Sequence, residues 1–255
     1  MCDTTIMTPA HDLHAAYLDL MRDSLTGRLN QDLPLPASGV DGYREEYREK
    51  GWDWPSTAPS MIGGKRMENV RHESERVLKE NVAGDFIETG VWRGGACIMM
   101  RAVLKAYGVT DRRVFAADSF AGPPAPSRGR DIDEKANFHG HKDFAVSLTE
   151  VKANFARYGL LDAQVMFLEG LFKDTLPDAP IEQLALLRLD GDMYESTMDG
   201  LNSLYDKVSP GGSLIADDYF LFESQREAID EFRRNRRIEV PIVQIDDFGG
   251  YWVKA

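Results

Sequence analysis

In Asp85-Phe-Ile-Glu-Thr-Gly-Val-Trp-Arg-Gly-Gly95 a short run of apolar and β-branched residues ends in glycine, and beyond Gly95 apolar positions recur at helical spacing to position 107. The segment reads as a strand over 85–90, a tight glycine turn and a helix over 95–107. The unit then repeats. Strands are expected at 113–118, 164–168, 184–189 and 212–216, with helices over 146–158, 195–208 and 223–235. Short strands alternating with longer helices predict an α/β fold, a mostly parallel sheet with helices on both faces. Residues 240–245 and 250–253 complete seven strands, the last two pairing as an antiparallel hairpin around 246–250.

Two regions fall outside this alternation. Residues 1–83 hold an amphipathic helix carrying Leu13, Tyr17, Leu20 and Met21, a Pro- and Gly-punctuated stretch from 33 to 59, and a helix over 64–82. They read as a helical cover that recognises an acceptor, set on a sheet domain of residues 84–255. Residues 121–142 are polar and rich in Pro and Gly, and they leave a strand end directly. Open α/β sheets place their ligands there, so this insertion reads as a lid.

Composition narrows the functions open to such a fold. The 255 residues carry 30 Lys+Arg against 42 Asp+Glu, a formal net charge of −12. So acidic a chain repels phosphate backbones and anionic lipid unless it carries a basic stripe, and its one basic run, residues 233–237, fits a solvated helix end. No nucleic-acid and no membrane partner is expected. Nowhere do 18 apolar residues run together, and the N-terminus lacks the basic and apolar regions of a signal peptide. The two cysteines are Cys2 at the terminus and Cys97 in an apolar stretch, which reads as core. They argue for a reducing compartment, so a soluble cytoplasmic location is expected.

The strand ends hold the chemistry. The turn after Glu88 spaces its glycines as G-x-x-x-G-G, unlike the dinucleotide fingerprint, and a carboxylate before the first glycine disfavours a pyrophosphate. It suits a ligand with an ammonium or sulfonium group. Asp118, at the end of the next strand, stands where a carboxylate takes ribose hydroxyls. Together they point to an adenosine derivative without a diphosphate. Asp190 and Asp192 follow an apolar strand, and Asp217 and Asp218 follow its neighbour. Parallel neighbours end at one sheet edge, so the four carboxylates converge and repel one another unless a cation sits among them. Oxygen ligands without nearby Cys or His favour Mg²⁺ or Ca²⁺, with Mn²⁺ a further candidate.

Three metal–carboxylate chemistries compete for these motifs. A haloacid-dehalogenase-type phosphatase fails on spacing, because residues 193–216 leave no room for its phosphate-binding strand and lysine. A glycosyltransferase or other nucleotide-sugar enzyme explains Asp190 and Asp192 through its D-x-D, and leaves Glu88, Asp118, Asp217 and Asp218 idle. It stands as the alternative. The third reading uses all of them.

With E-T-G-V-W-R-G-G at 88–95, A-D-S-F at 117–120, F-K-D-T at 172–175, L-D-G-D-M-Y at 189–194 and D-D-Y at 217–219, the sequence resembles the macrocin (TylF/MycF-type) O-methyltransferases. The resemblance runs from about Pro59 to Trp252. It implies a class I methyltransferase (Rossmann-like) fold, S-adenosylmethionine as methyl donor and Mg²⁺ as cofactor. As acceptor it implies a sugar hydroxyl of a glycosylated natural product, in antibiotic or other secondary-metabolite biosynthesis. By position it implies Asp190, Asp217 and Asp218 as metal ligands and Asp192 as general base. Glu88, Thr89, Gly90, Val91 and Gly94 would hold the methionine part of the cofactor and Asp118 its ribose. Ser119, Gly170 and Phe172 would face its adenine, with Met61 and Ile62 closing over it. Catechol methyltransferases carry a lysine three positions after the first ligand; Met193 stands there, which leaves Asp192 as the base.

An aliphatic hydroxyl is a poor nucleophile, so the metal would stabilise the alkoxide while Asp192 takes the proton. A vicinal diol can chelate through both oxygens, which favours a sugar or polyol acceptor. His139 and His141 in the lid read as acceptor contacts or solvent-exposed residues. Trp92 reads as a cofactor contact, and Trp52 with Trp54 as walls of an acceptor pocket or a subunit contact. The exposed N-terminal helices suggest a homo-oligomer.

Overall fold

Strand β1 (Asp85–Thr89) occupies the middle of a seven-stranded sheet, with Ile87 level with Phe115 on one neighbour and Leu187 on the other, both parallel. The remaining strands are β2 (Val114–Asp118), β3 (Val165–Glu169), β4 (Leu184–Leu189), β5 (Val208–Ala216), β6 (Val243–Gln244) and β7 (Gly250–Val253), in the order β3-β2-β1-β4-β5-β7-β6. β7 runs antiparallel beside β5 and carries β6 on its outer edge. The computed structural model describes residues 10–126 and 131–255, without the side chains of 10–12. Cys2 and residues 127–130 of the insertion lie outside the described residues.

The helices are α1 (Ala10–Leu25), α2 (Glu45–Lys50), α3 (Gly63–Lys79), α4 (Gly95–Ala106), α5 (Asp131–Glu134), α6 (Leu148–Arg157), α7 (Phe172–Thr175), α8 (Tyr194–Leu204) and α9 (Glu223–Arg236). Successive strand residues point to opposite faces, and β1 shows the consequence. Phe86 joins a core with Met67 of α3, Met99 of α4 and Phe155 of α6, while Ile87 joins another with Leu201 of α8 and Ile229 and Phe232 of α9. Both faces are covered, which is why these strands read as nearly unbroken apolar runs. Strand order reverses between β1 and β4, and the helices that follow those two strands leave on opposite faces. A crevice opens there beyond the carboxyl ends.

Residues 10–83 share the first of these cores, through Leu18, Met21 and Leu25 of α1 and Met67, Val70 and Val77 of α3. The buried stripe of α1 is rotated from the expected one, since Leu13 and Leu20 are 60% and 54% exposed. The helix runs on to Leu25, and the i, i+3, i+7 set 18-21-25 is the one that meets α4. Other boundaries moved for local reasons. β5 begins at Val208 rather than at the expected 212 because Ser209-Pro-Gly-Gly212 is a bulge within the strand: Leu184 and Leu186 face Val208 and Ser213. β6 is two residues long, and Pro241 withholds a ladder donor from the chain before it. Helices α2, α5 and α7 have too few turns to show a period.

The insertion packs against the cover across the sheet end. Trp54 meets Phe144 edge-on at 5.1 Å, Phe144 stacks on Phe138 at 4.7 Å, and Phe138 meets Phe222 at 5.8 Å. Trp92 donates from its indole N–H to the Asp143 carbonyl at 2.7 Å, tying the turn after β1 to the same segment.

Candidate active site

The glycine turn after β1 is built by close approach. Gly90 has φ 87°, and a Cβ there would strike the carbonyl oxygen of Asp190, the residue that follows β4. Only glycine satisfies both demands. Asp118, half-buried at the end of β2, accepts from the Val91 and Phe120 N–H groups, each at 2.8 Å. Burial pushes its carboxyl up and these donors draw it back. The Ser119 hydroxyl lies 3.4 Å from the same carboxylate.

Glu88 turns inward. It is 2% exposed, accepts from the Cys97 N–H at 3.1 Å and the Cys97 thiol at 3.0 Å, and pairs with Arg188. Burial, opposed by Arg188, pushes its carboxyl up to about 7. Cys97 is fully buried, as its apolar setting predicts. Thr89 is also buried, its hydroxyl aimed at the Arg188 carbonyl at 3.4 Å.

The acidic residues that follow β4 and β5 meet beside this turn. Carboxylate oxygens of Asp190, Asp192 and Asp218 lie within 4.8 Å of one another. Asp217 is placed differently, with one oxygen on Arg188 and the other on Arg66. Arg188 also bonds Asp190 at 2.6 Å, and Arg66 reaches Asp246 at 3.2 Å. Six carboxylates (Glu88, Asp190, Asp192, Asp217, Asp218 and Asp246) thus surround two guanidiniums. Among the described residues neither Asp192 nor Asp218 forms an ion pair, so no paired cation offsets the cost of ionising them beside Asp190. Burial raises Asp190 to about 6, and burial with Asp190 raises Asp192 to about 8; burial with Asp217 drives Asp218 well above the usual carboxylate range.

These groups line one cleft of about 350 Å³. Met61, Ile62, Glu88, Gly90, Val91, Asp118, Ser119, Gly170 and Phe172 form one part of its wall, and Asp190, Asp192, Asp217 and Asp218 another. Thr89 and Gly94 stand behind the wall, Gly94 at φ 88° opening α4 against Val151 and Phe155. Trp54, Phe138, Phe144 and Phe222 enclose the remaining side, and Trp92 lines it near the turn. His139 is exposed and bonds the Pro123 carbonyl at 3.0 Å, His141 packs on Trp54 and Phe144, and Trp52 meets Tyr47 edge-on.

Sequence reasoning missed both arginines. Arg188 had a signal: it is a fully buried cation inside an apolar strand, two positions before Asp190 and therefore on the same face. Its presence, with Arg66, means that part of the repulsion assigned to a missing metal is already relieved by the protein. The first turn of α9 was missed as well. The Asp218 N–H donates to Gln225 Oε1 at 2.9 Å, and the Ser224 hydroxyl donates to the Asp192 carbonyl at 2.7 Å, so one helix end holds both acidic motifs.

A mostly parallel seven-stranded sheet with an antiparallel β7, and a cleft at the reversal beside β1, is the class I methyltransferase arrangement. Residues 30–254 match the family model described as Macrocin-O-methyltransferase (TylF). The chain belongs to that family and is an O-methyltransferase. Demethyldecarbamoylnovobiocin O-methyltransferase of Streptomyces niveus is 51% identical over 247 residues, covering 94% of this chain and 93% of the relative. Mycinamicin III 3''-O-methyltransferase of Micromonospora griseorubida is 48% identical over 245 residues, covering 94% and 96%. The solved structure of the O-methyltransferase NovP superposes with a TM-score of 0.92 at 49% identity, over 95% of this chain and 99% of that one. The methyltransferase expectation is the one borne out, rather than the nucleotide-sugar alternative.

Proposed function

We propose that this enzyme transfers a methyl group from S-adenosylmethionine to a sugar hydroxyl of a glycosylated small molecule, aided by a divalent cation, with Mg²⁺ the fitting ion. The observation that carries the reading is the meeting of an all-oxygen acidic triad and a glycine turn in a single cleft. Hard carboxylate donors without sulfur or imidazole suit such an ion. A relative from Streptomyces olivaceus, 48% identical and named 8-demethyl-8-(2,3-dimethoxy-alpha-L-rhamnosyl)-tetracenomycin-C 4'-O-methyltransferase, supports a glycosylated small molecule as acceptor.

In this reading Gly90 and Val91 hold the methionine part of the donor and Asp118 its ribose, with Ser119, Gly170 and Phe172 at the adenine and Met61 and Ile62 over it. Glu88 acts from beneath, facing the donor's positive end while Arg188 and Cys97 fix its carboxylate. Asp190 and Asp218 hold the ion. Asp217 joins them only by turning from one of its two arginines. When bound, the ion supplies positive charge that stabilises the alkoxide developing on the acceptor, and the donor supplies a sulfonium leaving group. Asp192 receives the hydroxyl proton; it stands within the triad, free of any ion pair among the described residues. The aromatic wall of Trp54, Phe138 and Phe222 excludes water and aligns the acceptor oxygen.

We read residues 1–83 and the 121–142 insertion as the acceptor-recognising parts, and the active form as a cytoplasmic homo-oligomer. No helix among the described residues is long and apolar enough to cross a membrane. The test is to incubate the purified protein with labelled S-adenosylmethionine and a panel of demethylated glycosides, locating the methyl by mass spectrometry and NMR. Label on a sugar oxygen supports the reading; label only on the aglycone overturns it.

A further inference from the structure

Asp192 has a left-handed backbone, φ 54°. A non-glycine residue keeps that conformation where its neighbours hold it. The Ser224 hydroxyl, 1% exposed, grips the Asp192 carbonyl at 2.7 Å from α9. On the other side Tyr194 opens α8, and its N–H donates to Asp133 at 2.6 Å. Asp133 is fully buried, although it belongs to α5 of the insertion and lies 61 positions away. The residue that precedes α8, Met193, provides no side-chain acceptor. Asp133 therefore satisfies, from a distant segment, the first of the backbone N–H groups that a helix start leaves without an intrahelical partner, at the helix end where an acidic group is favoured.

We propose that Asp133 is a positioning residue for methyl transfer: by fixing the first peptide of α8 it holds the 191–193 turn, and so sets the Asp192 carboxylate at the acceptor hydroxyl. The proposal rests on the reading of Asp192 as the base. It links two parts of the site, since the segment that walls the cleft through Phe138 also places the base. The neighbouring Lys135 reaches Glu223 at 2.9 Å from the same segment, but both side chains are exposed and the pair adds little to its hold.

Steady-state kinetics of the full chain, with S-adenosylmethionine, Mg²⁺ and a demethylated glycoside, test the proposal. Asp133→Ala is expected to lower kcat roughly tenfold, the scale of a lost cap expressed at the barrier, with the KM for S-adenosylmethionine unchanged. Asp133→Asn keeps an acceptor oxygen and is expected to return to within about twofold of the parent. Lys135→Ala is expected to leave kcat unchanged. Equal losses in Asp133→Ala and Lys135→Ala, or no recovery in Asp133→Asn, would show that the residue only docks the segment, and would overturn the proposal. If the alanine variant does not fold, Asp133→Glu, which shifts the acceptor by a methylene, is expected to lower kcat, and full activity there overturns it. Asp192→Asn separates the two readings. Full activity in that variant refutes the base itself, whereas its loss beside an unimpaired Asp133→Ala refutes the positioning role alone.

Discussion

Arg188→Met removes the guanidinium that contacts three carboxylates at once, Glu88, Asp190 and Asp217. Asp217 keeps Arg66 in the variant, and the Asp190 side chain is 23% exposed, so the loss falls on Glu88, which is 2% exposed. Stripping one partner from a buried ion pair costs about 3–5 kcal/mol, because a desolvated charge stays behind. Glu88 softens the loss by taking a proton, its carboxyl already standing at about 7. A net cost near the low end, about 3 kcal/mol, follows. At roughly 2–4 °C per kcal/mol for a chain of this size, the melting midpoint falls by about 6–12 °C. Glu88→Gln added to Arg188→Met removes the stranded acid and is expected to recover at least half of the loss. The assay is thermal unfolding of both single variants and the double variant, read as a cycle. An Arg188→Met protein that melts with its parent, or a double variant whose loss equals the sum of the singles, would refute the ion-pair reasoning.

Gly90→Ala forces a Cβ onto the Asp190 carbonyl at φ 87°; a cost of roughly 2–4 kcal/mol is expected in urea unfolding, with weakened S-adenosylhomocysteine binding by calorimetry. Asp32 accepts from the Ser56 hydroxyl at 2.6 Å and from the Thr57 and Ala58 N–H groups at 2.8 and 2.7 Å. Burial pushes its carboxyl up, and these three donors outweigh burial and hold it below 3.8. Its stabilisation is therefore complete above that value and fades as pH falls through the lower folded-state value. Asp32→Ala is expected to cost about 1 kcal/mol at pH 7 and progressively less as the pH is lowered beneath 3.8, a trend that melts over a descending pH series would show. Trp54→Ala opens the aromatic wall and is expected to raise the acceptor KM about tenfold, with donor affinity unchanged in calorimetry.

The sheet edge was legible because few rules decide it. Parallel neighbours end together, so the sequence alone places Asp190 and Asp192 beside Asp217 and Asp218, and the glycine turn beside them. What lay beyond reach depended on contacts without a local pattern. Arg66 meets Asp217 across 151 positions, and Asp133 meets Tyr194 across 61. Ser224 and Gln225 read as an ordinary helix start, yet they bind the backbone of both acidic motifs. The exposed Leu13 and Leu20 show the limit of periodicity in α1, where two apolar stripes compete and the partner helix chooses.

The most direct test of the account is methyl transfer to a demethylated glycoside by enzyme stripped with chelator, before and after Mg²⁺ is restored. The account predicts a rate at least about a hundredfold lower in the stripped enzyme, restored by the ion and not restored in Asp190→Asn. Full turnover after rigorous metal removal would contradict it.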